Sequence, residues 1–201
     1  MKKFLKIFLP CCIILIVSAL WGFRFYSLNS EIEIPNIEWH SMGESVPYED
    51  DFFHRADESR EGYAITVQSA TLMSYEEYVK AHGETIDYIG EDQVKPTYVY
   101  DLEVNIQNHN TVDDPAKGID LVNTRLLASN NSMQVNDRLF ALVYPKLDGQ
   151  LGFCLQPNSA LTLHLPYVTY EKNTKDKLLK KDWSLLLSLY PTEKRINVEP
   201  N

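Results

Sequence analysis

From Thr97 to Asn108 the chain reads T-Y-V-Y-D-L-E-V-N-I-Q-N. Tyr98, Tyr100, Leu102, Val104 and Ile106 share one parity, while Val99, Asp101, Glu103, Asn105 and Gln107 share the other. A period of two with one apolar face predicts a half-buried strand, and β-branched and aromatic side chains suit its packed face. Tyr63, Ile65 and Val67 alternate in the same way, as do Leu151, Phe153 and Leu155, then Leu161, Leu163 and Leu165. Trp183, Leu185, Leu187 and Leu189 repeat the pattern, and Arg195 to Val198 suggests a short edge strand. Ile119 to Ala128 is a further strand candidate, closed by a turn at Asn130-Asn131. Leu139 to Tyr144 is apolar on both parities, which fits a buried strand or a short helical turn.

One helix is expected at about Tyr75–His82. Ser74 and Glu77 have the spacing of a capping box, and Gly83 supplies a stop. His82 would sit in the last turn, where positive charge suits the helix dipole. Lys172 to Asp182 is expected to form a charged hairpin. Short strands, regular turns and one small helix point to an all-β chain, an antiparallel β-sandwich.

The N-terminus follows a different pattern. M-K-K-F-L-K precedes a run without charge from Ile7 to Phe23, close to the length that spans a bilayer. Lys2, Lys3 and Lys6 before the run place the N-terminus in the cytoplasm, and Trp21, Phe23, Phe25 and Tyr26 form an interfacial belt. A cleaved signal peptide is the alternative, with Val17-Ser18-Ala19 as an imperfect cleavage site. The apolar run follows Cys11 instead of preceding it, so lipidation is not expected. Either way the body is exported. Residues 1–26 are the anchor or signal, 27–61 a tether and acidic segment with a first strand, and 62–201 the β-sandwich domain.

Charge sharpens this division. Residues 1–30 contain four basic residues and no acid, leaving 15 basic residues against 28 acids in the remainder, a balance of −13. Such a body repels nucleic acid, so no nucleic-acid partner is expected. Residues 44–61 hold seven acids and two arginines without an oxygen-ligand repeat, which favours a solvated loop over a cation site. The three cysteines, Cys11, Cys12 and Cys154, have no metal-knuckle spacing. Cys154, between Phe153 and Leu155, is expected to be a buried small side chain in no intrachain disulfide.

Met42-Gly43-Glu44-x-Val46, Asp50-Asp51-Phe52, Gly62-Tyr63-x-Ile65-Thr66-Val67 and Ser74-Tyr75-Glu76-Glu77 form a recognisable series. It resembles a family of bacterial exported, membrane-anchored proteins of unknown function with an immunoglobulin-like, telokin-like domain. A Tyr/Val strand ending in Asn108, then Pro157-Asn158-Ser159 and a strand closing at Pro166, extend the resemblance over about Met42 to Val198. Asn158 stands where glycine is usual. The resemblance implies an immunoglobulin-like fold and an exported location, and no catalytic residues.

Candidate chemistry is sparse. Asp101 and Glu103 lie about 7 Å apart on one strand face, and a solvated surface explains them better than a glycosidase pair. His40, His54, His82, His109 and His164 are scattered, and His109 with Asp113 and Asp114 is explained by a polar loop. Lys172, Lys175, Lys177, Lys180 and Lys181 form a basic concentration interleaved with acids, a charged hairpin tip more than a site for headgroups or wall polymers. The expected site inventory is therefore empty: no catalytic, cofactor or metal residues, and no cofactor. The expected function is an extracytoplasmic binding or assembly module, held to the membrane by its N-terminal helix and partnered by an envelope or secreted protein. A small-ligand or cation sensor using loops 44–61 and 108–118 is the alternative, and a cell-wall hydrolase a third.

Overall fold

In a computed structural model the alternating segments assemble into two open β-sheets, described for residues 2–30, 35–54, 60–82, 94–147, 149–170 and 174–201. The chain forms two compact units, Met1–Ile34 and Pro35–Asn201. The first carries α1, Lys2–Asn29. Its segment Cys11–Asn29 has 19 residues, a length and apolarity that suit a signal peptide or a membrane anchor.

In the second unit the order is β1 Asn36–His40, β2 Val46–Pro47, β3 Tyr63–Ser74, α2 Tyr75–Ala81, β4 Tyr98–Asn108, β5 Ile119–Asp120, β6 Arg125–Ala128 and β7 Asn131–Gln134. Then come α3 Asp137–Val143, a 3-10 turn at Pro145–Leu147, β8 Gly152–Phe153, β9 Ser159–Thr169, α4 Lys175–Leu179, β10 Trp183–Leu186 and β11 Thr192–Val198. One sheet has the order β2-β3-β4-β9 and the other β1-β11-β10-β6-β7. β5 and β8 pair separately.

The opening strand is internal to its sheet, as its apolar face requires. Tyr100, Leu102, Val104 and Ile106 are fully buried, the three aliphatic side chains each worth roughly 1.5–3 kcal/mol relative to exposure. They meet Leu126, Leu185 and Ile196 of the other sheet in one core, and the Tyr100 and Trp183 rings lie 4.6 Å apart. Asn108 ends β4 by donating to the Leu155 carbonyl at 2.8 Å and accepting from the Asn110 amide at 3.0 Å. The Tyr63 hydroxyl accepts from the Leu155 amide at 3.0 Å, tying β3 to the turn before β9. In that turn Asn158 holds φ +54°, a left-handed conformation that asparagine shares with glycine, so the departure from glycine leaves the turn intact.

Several expectations are corrected. β1 pairs in parallel with β11, so the sheets are not wholly antiparallel. β11 is consequently internal, between β1 and β10, and is not an edge. Ile119–Ala128 is two strands, because the chain turns after Asp120 and β5 and β6 join different sheets. Among the described residues the unit has three short α-helices where one was expected. Residues 139–144 take the helical option, with the Asn136 side chain accepting from the Leu139 amide at 3.0 Å. The supposed charged hairpin contains α4, whose Leu178 is fully buried and accepts the Trp183 indole N–H at 2.9 Å. Lys172 and Gly83 lie outside the described residues. Cys154 is exposed, because β8 is a two-residue edge segment whose next residue faces solvent.

Candidate functional site

Helix α2 packs on the outer face of the β3-β4-β9 sheet. Its start carries the complete capping box: the Ser74 hydroxyl accepts from the Glu77 amide at 3.2 Å and the Glu77 carboxylate from the Ser74 amide at 2.8 Å. Tyr75, Tyr78 and Val79 then join Val99 and Leu139 in a second apolar cluster. Val99, on the nominally polar parity of β4, is thus fully buried.

This cover changes the standing of Asp101. The expectation of a solvated carboxylate is wrong: Asp101 is only 8% exposed, and its Oδ2 lies 2.9 Å from His164 Nδ1. The ring of His82, the C-cap of α2, stands 4.5 Å from Tyr78 and 5.7 Å from His164. Two histidines scattered in sequence therefore meet over one buried acid. The hydrogen bond that His164 donates to the Asp101 carboxylate holds the His164 pKa above its ordinary value, against the opposing effect of burial. Burial pushes His82 down, the neighbouring His164 adds to the depression, and Asp101 opposes it. Tyr144 closes the cluster, its hydroxyl accepting from the His164 amide at 2.7 Å. Glu103 is half-buried and accepts from Ser69 Oγ at 3.1 Å. The serine hydroxyl is therefore committed to a carboxylate, an arrangement that does not make it a nucleophile activated by histidine.

The described part of the acidic segment, 44–54 and 60–61, is not simply a solvated loop. Tyr48, Asp51, Phe53 and Arg60 are buried, and the Arg60 guanidinium lies 5.3 and 5.2 Å from the Tyr48 and Phe53 ring centres. Lys194 of β11, 2% exposed, reaches Asp51 at 2.7 Å, Glu49 at 2.6 Å and the Pro47 carbonyl at 2.8 Å. Asp51 also accepts from the Thr192 amide at 3.0 Å. Lys194 supplies the cation that pins this segment. Burial lowers its pKa, but hydrogen bonds to Asp51 and Glu49 outweigh that and the net shift is upward.

Loops 44–61 and 108–118 do approach each other. Pro47, Glu49, Asp50, Glu61, Gly62, Tyr63 and His109 line a groove of about 360 Å³. Lys194 holds Glu49, and Lys117 holds Glu61 at 2.6 Å. Asp113 and Asp114 are exposed, and Asp114 caps its own turn by accepting from the Ala116 amide at 3.0 Å. Among the described residues, no group of three His, Cys, Asp or Glu is placed to hold a metal ion. Lys175 and Lys177 belong to α4, Lys180 follows it, and Lys181 lies 5.6 Å from the Trp183 ring centre. His54 Nε2 is 3.3 Å from Asn123 Oδ1.

The remaining surface of note is β1, an edge of the five-stranded sheet. Ile37 is 44% and Trp39 53% exposed, and the Arg195 guanidinium rests 5.3 Å from the Trp39 ring centre. Trp39 and Arg195 also border a concavity of about 370 Å³ with Ser129, Asp182, Ser184 and Asn197. A family described as a domain of unknown function, DUF5028, matches residues 37–194, from inside β1 to inside β11. The chain belongs to this family. The DUF5028 match takes in both sheets, the Asp101–His164 pair and the exposed side chains of β1. No curated protein and no solved structure matches the chain.

Proposed function

We propose that this DUF5028 chain is an extracytoplasmic, single-pass membrane-anchored module of immunoglobulin-like type that binds another envelope or secreted protein. The basic flank and aromatic belt of α1 support an uncleaved anchor with a cytoplasmic N-terminus. The binding reading is carried by β1. A sheet edge that keeps an isoleucine and a tryptophan half in water is a site where a partner gains apolar burial and backbone hydrogen bonds together.

A photo-crosslinking amino acid placed at position 39 of the full-length chain in intact cells tests this. A discrete crosslinked protein from position 39, absent from a control at exposed Val112, is the expected result. Equal background from both positions would contradict it. The approach of loops 44–61 and 108–118 favours one second reading, a cation or solute sensor. Calcium titration of the full-length chain would then give a saturable heat that Asp50→Asn abolishes, and a flat titration removes this reading.

A further inference from the structure

We infer that the free edge of β1 accepts an extended strand whose central residue is basic and whose two neighbours are apolar. This rests on the binding reading above and adds the chemistry of the partner. β1 pairs on one side with β11, in the register Ile37 with Glu193, Glu38 with Lys194 and Trp39 with Arg195. Among the described residues nothing pairs with its other side. Alternation places Ile37 and Trp39 on one face, and Asn36, Glu38 and His40 on the other. A strand laid on this edge therefore sets one residue directly opposite Glu38 and its two neighbours opposite Ile37 and Trp39.

The charge at the centre is negative. Glu38 is 46% and Glu44 55% exposed, with the His40 ring between them at 3.9 and 3.4 Å. Lys194, the register partner of Glu38, spends its ammonium on Glu49, Asp51 and the Pro47 carbonyl. A lysine or arginine from the partner would meet Glu38 across the new ladder, where opposite charges stabilise and like charges destabilise. The same rule argues against a second copy of this chain. Antiparallel self-pairing that matches Ile37 with Trp39 would set Glu38 against Glu38. Valine-sized or larger side chains on either side of the basic residue would cover Ile37 and Trp39.

Two short capped peptides that differ only at the centre, Ser-Thr-Val-Lys-Val-Thr-Ser and its glutamate-centred twin, are titrated against the full-length chain in detergent micelles. The lysine peptide is expected to bind about fivefold tighter at low salt, with the preference shrinking as salt rises. Glu38→Lys should reverse the preference, and Trp39→Ala should weaken both peptides. Equal affinities, no binding by either peptide, or an unchanged preference in Glu38→Lys would overturn the inference. A discrete crosslink from position 39 would still stand beside that failure and preserve the binding reading, whereas its loss would remove both.

Discussion

Lys194 is a cation buried in a body whose net charge is strongly negative, and its role shows at the level of single atoms. Its three donors meet Asp51, Glu49 and the Pro47 carbonyl, so removing it leaves Asp51 buried without its counter-charge. Lys194→Ala should destabilise the unit by about 3 kcal/mol, measured by urea unfolding, and a loss below 1 kcal/mol would show the pair to be dispensable. The two histidines over Asp101 have opposite linkage to pH. His164 has a folded pKa above its ordinary 6.5, so it stabilises below that value and the gain is lost as pH rises through the folded pKa. His82 has a depressed folded pKa, so its contribution is present above 6.5 and is lost as pH falls through the folded value. His82→Asn should therefore lose less thermal stability than the parent between about pH 7 and 5. Parallel melting curves for the two proteins would contradict the pairing. None of this was legible from residue spacing. Asp101 and His164 each fall on a polar parity, but only the β4–β9 register brings them together.

At the scale of elements, local signals were strong where chemistry and geometry coincide within a few residues. The capping box at Ser74 and Glu77 marks α2 because both hydrogen bonds are local. Ser74→Ala should cost about 1 kcal/mol by chemical denaturation, and a Ser74→Asp replacement should recover most of it. Recovery failing in Ser74→Asp would mean the hydroxyl acts elsewhere. β4 was legible because its alternation is unbroken. The second half of β3 was not, because a bulge between Val67 and Ser69 shifts the inward parity from Ile65 and Val67 to Ala70 and Leu72. α4 was hidden by its lysines, since only the adjacent Leu178 and Leu179 mark the side that faces the core. The break between β5 and β6 was missed because Ile119 to Ala128 contains no glycine or proline to announce it.

For the whole molecule, the apolar N-terminal helix and the two-sheet unit each follow from sequence pattern, while their division of labour is the proposal. The parallel docking of β1 on β11 joins residues more than 150 positions apart, which no local pattern announces. It also creates the edge on which the binding reading depends. That reading requires the two-sheet unit to stand outside the cell on an uncleaved helix, where an envelope or secreted partner can reach it. Cys154 offers a direct test, being free and exposed, whereas Cys11 and Cys12 lie in α1. A membrane-impermeant maleimide applied to intact cells should label Cys154 on a protein of full-length mass that fractionates with the membrane, and Cys154→Ser should abolish the label. Labelling that appears only after lysis, or on a product lacking the N-terminal helix, would contradict the account.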